Sequence, residues 1–251
     1  MKLFTRAFVV AMSLALSTSA FAAEIKVLCT NGVRAVVEEL IPQFERNTTS
    51  GDKVVLLYEP STQLRKRIDA GEPFDLVIMT TTLVDEEIKA GKLAADSRTF
   101  VARSGLGVSI RSGAKKPNIA TVDAFKRALL NAESITFAQQ GASAQPFEVL
   151  VAKLGITAQL RPKYNLRNTA SEVGEAVASG VVELGIAPVS EILPVRGVDL
   201  VGPFPKDVQS YVEMTGAVSV NAKQKEEARK LLAFLIAPAN QQEFKVKGME
   251  R

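Results

Sequence analysis

Residues 53–80, KVVLLYEPSTQLRKRIDAGEPFDLVIMT, decide the fold. Residues 53–59 form a β-type run, rich in valine and leucine. Pro60, Ser61 and Thr62 then open a helix that runs to Ala70 and stops at Gly71. Residues 75–80, DLVIMT, are almost continuously apolar, as a strand covered on both faces should be. Upstream, EIKVLCT at 24–30 predicts a strand ending at Thr30-Asn31-Gly32. The helix after it carries Val33, Val36, Val37, Leu40, Ile41 and Phe44 on one stripe, and Pro42 predicts a kink within it. Downstream, residues 83–89 predict a short helix stopped by Gly91. The order β-α-β-α-β-α implies a parallel sheet with helices on its faces.

The alternation then breaks. Residues 99–110, TFVARSGLGVSI, are extended and read as a strand crossing between two lobes. Asp123 is the expected cap of a helix to Leu130. A strand at 134–138 leads into the loop Gln139-Gln140-Gly141-Ala142-Ser143, and a helix follows to Lys153. Thr169 and Glu172 make a T-x-x-E capping box for a helix to Ser179. Residues 182–187 form a strand, and 198–204 and 211–220 are extended, the latter a candidate return crossing. Helices at 224–236 and 240–246 close the chain. This places residues 23–103 with 211–251 in the first lobe and 104–210 in the second. The expected class is therefore a two-lobed α/β fold with a hinged cleft between lobes.

Composition excludes much chemistry. Histidine is absent and cysteine occurs once, so no Ser-His-Asp triad, Cys-His dyad or usual His/Cys zinc site can form. One cysteine allows no intrachain disulfide. Tryptophan is absent and aromatics make up 6%, which leaves little for base stacking. A net charge of +4 gives no nucleic-acid footprint. Residues 1–22 read as a secretory leader. Lys2 and Arg6 precede an apolar run at 7–16, and Ala20-Phe21-Ala22 supplies the Ala-x-Ala cleavage pattern. That run is too short to span a bilayer, which takes ~20 residues. The mature chain should begin near Ala23, exported to the periplasm, soluble and monomeric.

In open α/β sheets, ligands sit beyond the carboxyl ends of the strands. The loops there are Thr30-Asn31-Gly32, Glu59-Pro60-Ser61-Thr62, Gly141-Ala142-Ser143 and residues 168–172, which include Ser171. Each precedes a helix, whose unpaired N–H groups and positive dipole end suit an anion. Arg34 and Arg65, each in the first turns of such a helix, suit a carboxylate bidentately. Ser61 and Thr62 also read as plain N-caps, Cys29 as a small core residue, Tyr164 as a packing residue and Glu59 as a solvated rim residue.

The chain resembles the periplasmic molybdate-binding proteins and their relatives, the type II solute-binding proteins of ABC importers. The resemblance spans the mature chain. It rests on AEIKVL, IPQFER, PSTQLRKRIDAGEPFDLVI, AKLGI, SEVGEAVASGVVELGI with SEI after it, and AFLIAPANQQEFKVKGM. It implies a type II periplasmic binding fold. It also implies an anion held at Thr30-Asn31, at Ser61, by the loop from Gly141 to Ser143 and at Val173. The position where family members often carry a tyrosine falls on Pro188 in GIAPVSEI, and with the two arginines this favours an organic carboxylate over molybdate. The expected partners are a small anionic ligand and an ABC permease, with neither metal nor cofactor. Some proteins resembling this branch are periplasmic aconitate isomerases. That reaction, without histidine, needs Glu, Asp, Lys or Tyr as its base. Capture for import, isomerisation and a sensor role therefore stand side by side at the level of sequence.

Overall fold

The structure, a computed structural model, describes residues 22–48 and 51–251. The expected leader lies outside the described residues, apart from Ala22. Strand β1 (Glu24–Thr30) is followed by a 3-10 turn, α1 (Arg34–Asn47), β2 (Lys53–Glu59), α2 (Ser61–Asp69), β3 (Leu76–Thr80) and α3 (Thr81–Lys89). Next come β4 (Thr99–Arg111), α4 (Val122–Asn131), β5 (Ile135–Thr136), α5 (Ala144–Lys153), α6 (Thr157–Leu160) and α7 (Ala170–Ala178). The chain ends with β6 (Leu184–Pro188), α8 (Val189–Ile192), β7 (Val198–Pro203), β8 (Tyr211–Val218), α9 (Lys225–Leu235) and α10 (Gln241–Val246).

The strand order is β2-β1-β3-β8-β4-β6-β5, with β7 also on β4. β1 runs parallel to β2 and β3, and β5 to β6, whereas β8 and β4 pair antiparallel with their neighbours. Side-chain alternation explains why both faces of the first strands are covered. Val27, Cys29, Leu76 and Ile78 pack with Val36, Leu40 and Phe44 of α1 in one core. Leu28, Val77 and Met79 point the other way, onto Leu64 and Ile68 of α2 and Val84 of α3. The predicted stripe of α1 is buried throughout, and the helix continues through Pro42 to Asn47.

β4 changes partners along its length. From Thr99 to Gly105 it pairs with β8, and from Leu106 onward with β6 and β7. At the changeover the Gln209 side chain fills in: its Oε1 accepts from Leu106 N at 3.0 Å and its Nε2 donates to Leu106 O at 3.1 Å. The returning chain is fastened by buried Asp75. Its carboxylate accepts from Lys26 N on β1 and from Lys223 N and Gln224 N ahead of α9, at 2.9, 2.8 and 3.0 Å.

Three local expectations need correction. α4 is capped by Thr121, whose hydroxyl accepts from Ala124 N at 3.2 Å, and Asp123 lies inside the first turn. β5 is shorter than 134–138, because beyond Thr136 the ladder gives way to an isolated bridge between Ala138 and Arg167. β6 starts at Leu184 rather than Val182.

Candidate functional site

The carboxyl ends of β1, β2 and β3 converge where α1 and α2 begin, and Ser61 is the knot. Its hydroxyl donates to Thr30 Oγ1 and accepts from Thr80 N, both at 3.1 Å. Ser61 is therefore not a cap. The cap position of α2 is Pro60, which offers no side-chain acceptor, so the first N–H groups of the helix stay open.

Facing this knot are the loop at Ala138, Gly141 and Ala142 and the start of α7 at Asn168, Thr169 and Ala170. Thr169 Oγ1 accepts from Glu172 N at 3.2 Å, and Glu172 Oε2 accepts from Asn168 N at 2.9 Å. The predicted capping box thus forms, with its second arm reaching Asn168. Between the two walls lies a recess of about 30 Å³, floored by Val212 and Met214 of β8. Gly32 packs closely here: a Cβ on it would sit 2.9 Å from Met214 Sδ, so that side chain would have to shift. Asn31, Pro60, Thr169, Ala170 and Glu191 also line an outer chamber of about 580 Å³, so the two spaces join.

The chamber holds one arginine. Arg34 Nε donates to Glu38 Oε1 at 2.8 Å, and its guanidinium lies 4.9 Å from the Tyr58 ring centroid. Glu59, at the same mouth, accepts two bonds from Arg67, at 2.9 and 2.5 Å, and these hold its carboxyl below the usual carboxylate range. Burial pushes the Tyr58 phenol and the Cys29 thiol well above their ordinary values, which makes both inert as acids near neutrality.

Glu191, on α8, is different. Burial raises its carboxyl from 4.5 to about 7, and among the described residues no hydrogen bond or ion pair reaches it. It opens on both the recess and the chamber. The hydroxyl of its neighbour Ser190 is buried and likewise without a partner. A carboxyl that titrates near 7 can give or take a proton at physiological pH.

Of the residues expected at the site, Thr30, Asn31, Gly32, Ser61, Gly141 and Ala142 line the recess, and Arg34 and Ser171 line the chamber. The remainder lie elsewhere. Arg65 does not turn to the cleft, because Glu86 and Glu87 of α3 draw it away at 2.5 and 3.2 Å. Thr62 is exposed on the outer side of α2. Ser143 is buried at the start of α5, and Pro188 is buried at the end of β6. Val173 is core, packed where a Cβ on Gly185 would stand 3.5 Å away. Tyr164 stacks edge-on to Phe137 at 5.1 Å, a packing role. Glu191 was not singled out by sequence, and Asn168 was named only as the first residue of its loop. The motif SEI marks a helix start after a strand, but nothing in three letters says that its glutamate faces a cavity. A larger hollow of about 830 Å³, lined by Lys116, Phe204, Tyr211 and Lys245, contains none of the four loops.

Comparison with known proteins accords with this architecture. A family profile described as bacterial extracellular solute-binding protein matches residues 25–250. An aconitate isomerase from a Pseudomonas species is 30% identical over 214 residues, 83% of this chain and 80% of that protein. The molybdate-binding protein ModA of Azotobacter vinelandii is 26% identical over 241 residues, 93% of this chain and 92% of that one. The solved Azotobacter vinelandii periplasmic molybdate-binding protein superposes with a TM-score of 0.76 at 18% identity, covering 90% of this chain and 99% of that one. The fold is the mixed α/β fold of type II periplasmic binding proteins.

Proposed function

Because the chain belongs to the bacterial extracellular solute-binding family, we propose that it holds a small polycarboxylate in its cleft and moves a proton within it, as a periplasmic isomerase of cis- and trans-aconitate. The observation that carries this is the partnerless Glu191 carboxyl, raised to about 7 in a cleft otherwise built of helix N-termini and hydroxyls. In its neutral form that carboxyl can donate a hydrogen bond to a bound anion, and in its ionised form it can take a proton from it. The relative at 30% identity named aconitate isomerase supports the substrate.

The two spaces suit a ligand with more than one carboxylate. The recess takes a single such group against Ser61, Thr30 and the N–H groups of α2 and α7. The chamber, about 580 Å³, takes the rest of the molecule, beside Arg34. The lobes would be residues 23–103 with 211–251, and 104–210. The partner change of β4 after Gly105 supports that division.

The chemistry is redox-neutral. Aconitate has a methylene next to its double bond. The Glu191 carboxylate takes a proton from the methylene carbon, and that C–H electron pair becomes the new double bond. The old π pair takes the proton back from Glu191 at the far alkene carbon. The double bond moves by one carbon and its geometry is reset. The negative charge built up between these steps spreads onto a flanking carboxylate, where the helix N-termini stabilise it.

Incubating cis-aconitate with the protein in D2O and following proton NMR tests this. Wild type should form the trans isomer with exchange at the migrating position. Glu191→Gln should lose about 10²- to 10⁴-fold in rate. Absence of turnover, with carboxylate or oxyanion binding that Glu191→Gln leaves unchanged, would point instead to capture for an importer. The 26% identity to a molybdate-binding protein over 93% of the chain favours that second reading.

A further inference from the structure

α8 is only four residues long, and it carries Glu191. Its cap position, Pro188, has no side-chain acceptor to offer, so the first N–H groups of α8 must find one elsewhere. Ser190 N finds Ser104 Oγ at 3.1 Å. Ser104 is fully buried on β4, beside the point where that strand changes partners. The same hydroxyl donates to Gly248 O at 3.0 Å.

The C-terminal turn is thereby drawn against α8. Gly248 has φ +76°, and a Cβ on it would lie 2.6 Å from Val189 Cγ1 and 2.9 Å from Leu193 Cδ1. Only glycine permits that approach. Beyond it, Arg103 and Glu250 exchange both backbone hydrogen bonds at 2.8 Å, and Arg103 Nη2 donates to Glu250 Oε2 at 2.8 Å. Residues far apart in sequence, on β4, on α8 and in the C-terminal turn, thus meet at one hydroxyl.

We propose that Ser104 is a positioning residue for Glu191: with Gly248 behind α8, it holds that short helix so that the carboxyl faces the recess beside Gly32 and away from every partner. This rests on the role proposed for Glu191. The ionisable groups sharing its cavity are Arg34 and Glu38 on α1 and Tyr58 and Glu59 on β2. Arg34 and Glu38 are committed to each other and Glu59 to Arg67, so the setting of α8 decides what Glu191 meets. Without the Ser104 hydroxyl, buried Ser190 N and part-buried Gly248 O both lose that partner, and α8 is free to turn toward water or toward Arg34.

The test compares wild type, Ser104→Ala, Ser104→Thr and Ser104→Cys. The Glu191 carboxyl is followed by carbon NMR on glutamate-labelled protein without substrate, its signal identified by its loss in Glu191→Gln. The wild-type midpoint should lie near pH 7. In Ser104→Ala it should fall by a unit or more toward 4.5. Turnover of cis-aconitate should drop about tenfold or more in kcat, with KM nearly unchanged, as a displaced acid–base group predicts. Ser104→Thr should restore both values. Should Ser104→Ala not fold, Ser104→Cys keeps the shape with a weaker donor and acceptor and should move both in the same direction. A wild-type midpoint and kcat in the folded variant, with only a lower melting temperature, would overturn the proposal. Because the titration needs no substrate, a wild type that fails to isomerise aconitate refutes the enzymatic reading and leaves the NMR comparison to decide on Ser104.

Discussion

Replacing Glu191 with glutamine should stabilise the protein, and only at pH values above the ordinary carboxylate range. Burial raises the folded-state value of Glu191 from 4.5 to about 7. Below pH 4.5 the carboxyl is neutral in both folded and unfolded chains, so its contribution to stability is fully present. As pH rises from 4.5 to 7 the unfolded chain loses the proton and the folded chain keeps it, and stability falls. Above 7 both are ionised and the loss is complete. A shift of this size corresponds to about 3 kcal/mol. Glutamine has the same shape and no charge. The stability of Glu191→Gln relative to wild type should therefore rise through the window from pH 4.5 to 7 and level off above it. For a chain of this length that is about 6–12 °C in melting temperature. Calorimetric scans of both proteins from pH 4 to 9 make the comparison, and taking the difference cancels every other titrating group. A difference that stays flat across this range would show that the carboxyl is solvated or paired, and the acid–base role would fall with it.

Arg34→Ala should weaken polycarboxylate binding about ten- to a hundredfold, from loss of a charge-assisted hydrogen bond, while binding of a small oxyanion at Ser61 stays nearly unchanged; titration calorimetry against both ligand classes reads this. Ser61→Ala removes the acceptor of Thr80 N and the partner of Thr30. It should cost about 1–3 kcal/mol in denaturant unfolding and reduce affinity for every anion tested. Gly32→Ala drives a methyl group against Met214 Sδ and should cost about 1–3 kcal/mol. Adding Met214→Ala should recover part of that, a non-additivity measurable by a double-mutant cycle.

The architecture was largely legible because hydrophobic periodicity is a local property. The stripe from Val33 to Phe44 and the runs at 53–59 and 75–80 encode their own burial, and each forms the expected element. The long extended run announced itself too, by breaking the alternation at Thr99, and it forms β4. What failed was local competition. Thr121 and Asp123 are both good caps, and sequence does not say which one the preceding chain will orient. At the site, the loops could be located but not the direction of side chains on them. Arg34 and Arg65 both stand within the first turns of helices that follow site loops, yet Glu86 and Glu87 on α3 capture Arg65, while Arg34 stays at the cleft. Glu191 was hidden for the opposite reason. Its character comes from burial without a polar partner among the described residues, and no motif spells that.

The continuous strand β4 has a mechanical consequence. Its thirteen residues are laced to β8 at one end and to β6 and β7 at the other, with the amide of Gln209 bridging the join. Its pairing shifts register between Phe100 and Ala102 and between Val108 and Ser109, on either side of that join. A rotation of one end of the sheet against the other would be spread as slight twist over many peptide units, as in a leaf spring and unlike a door on a pin. A spring has a preferred opening and a restoring torque about it. A ligand that drew the walls together would work against that torque and store elastic energy in the strand, and the recoil would return it on release. The residence time of a ligand would then depend on the stiffness of a strand that lines neither the recess nor the chamber.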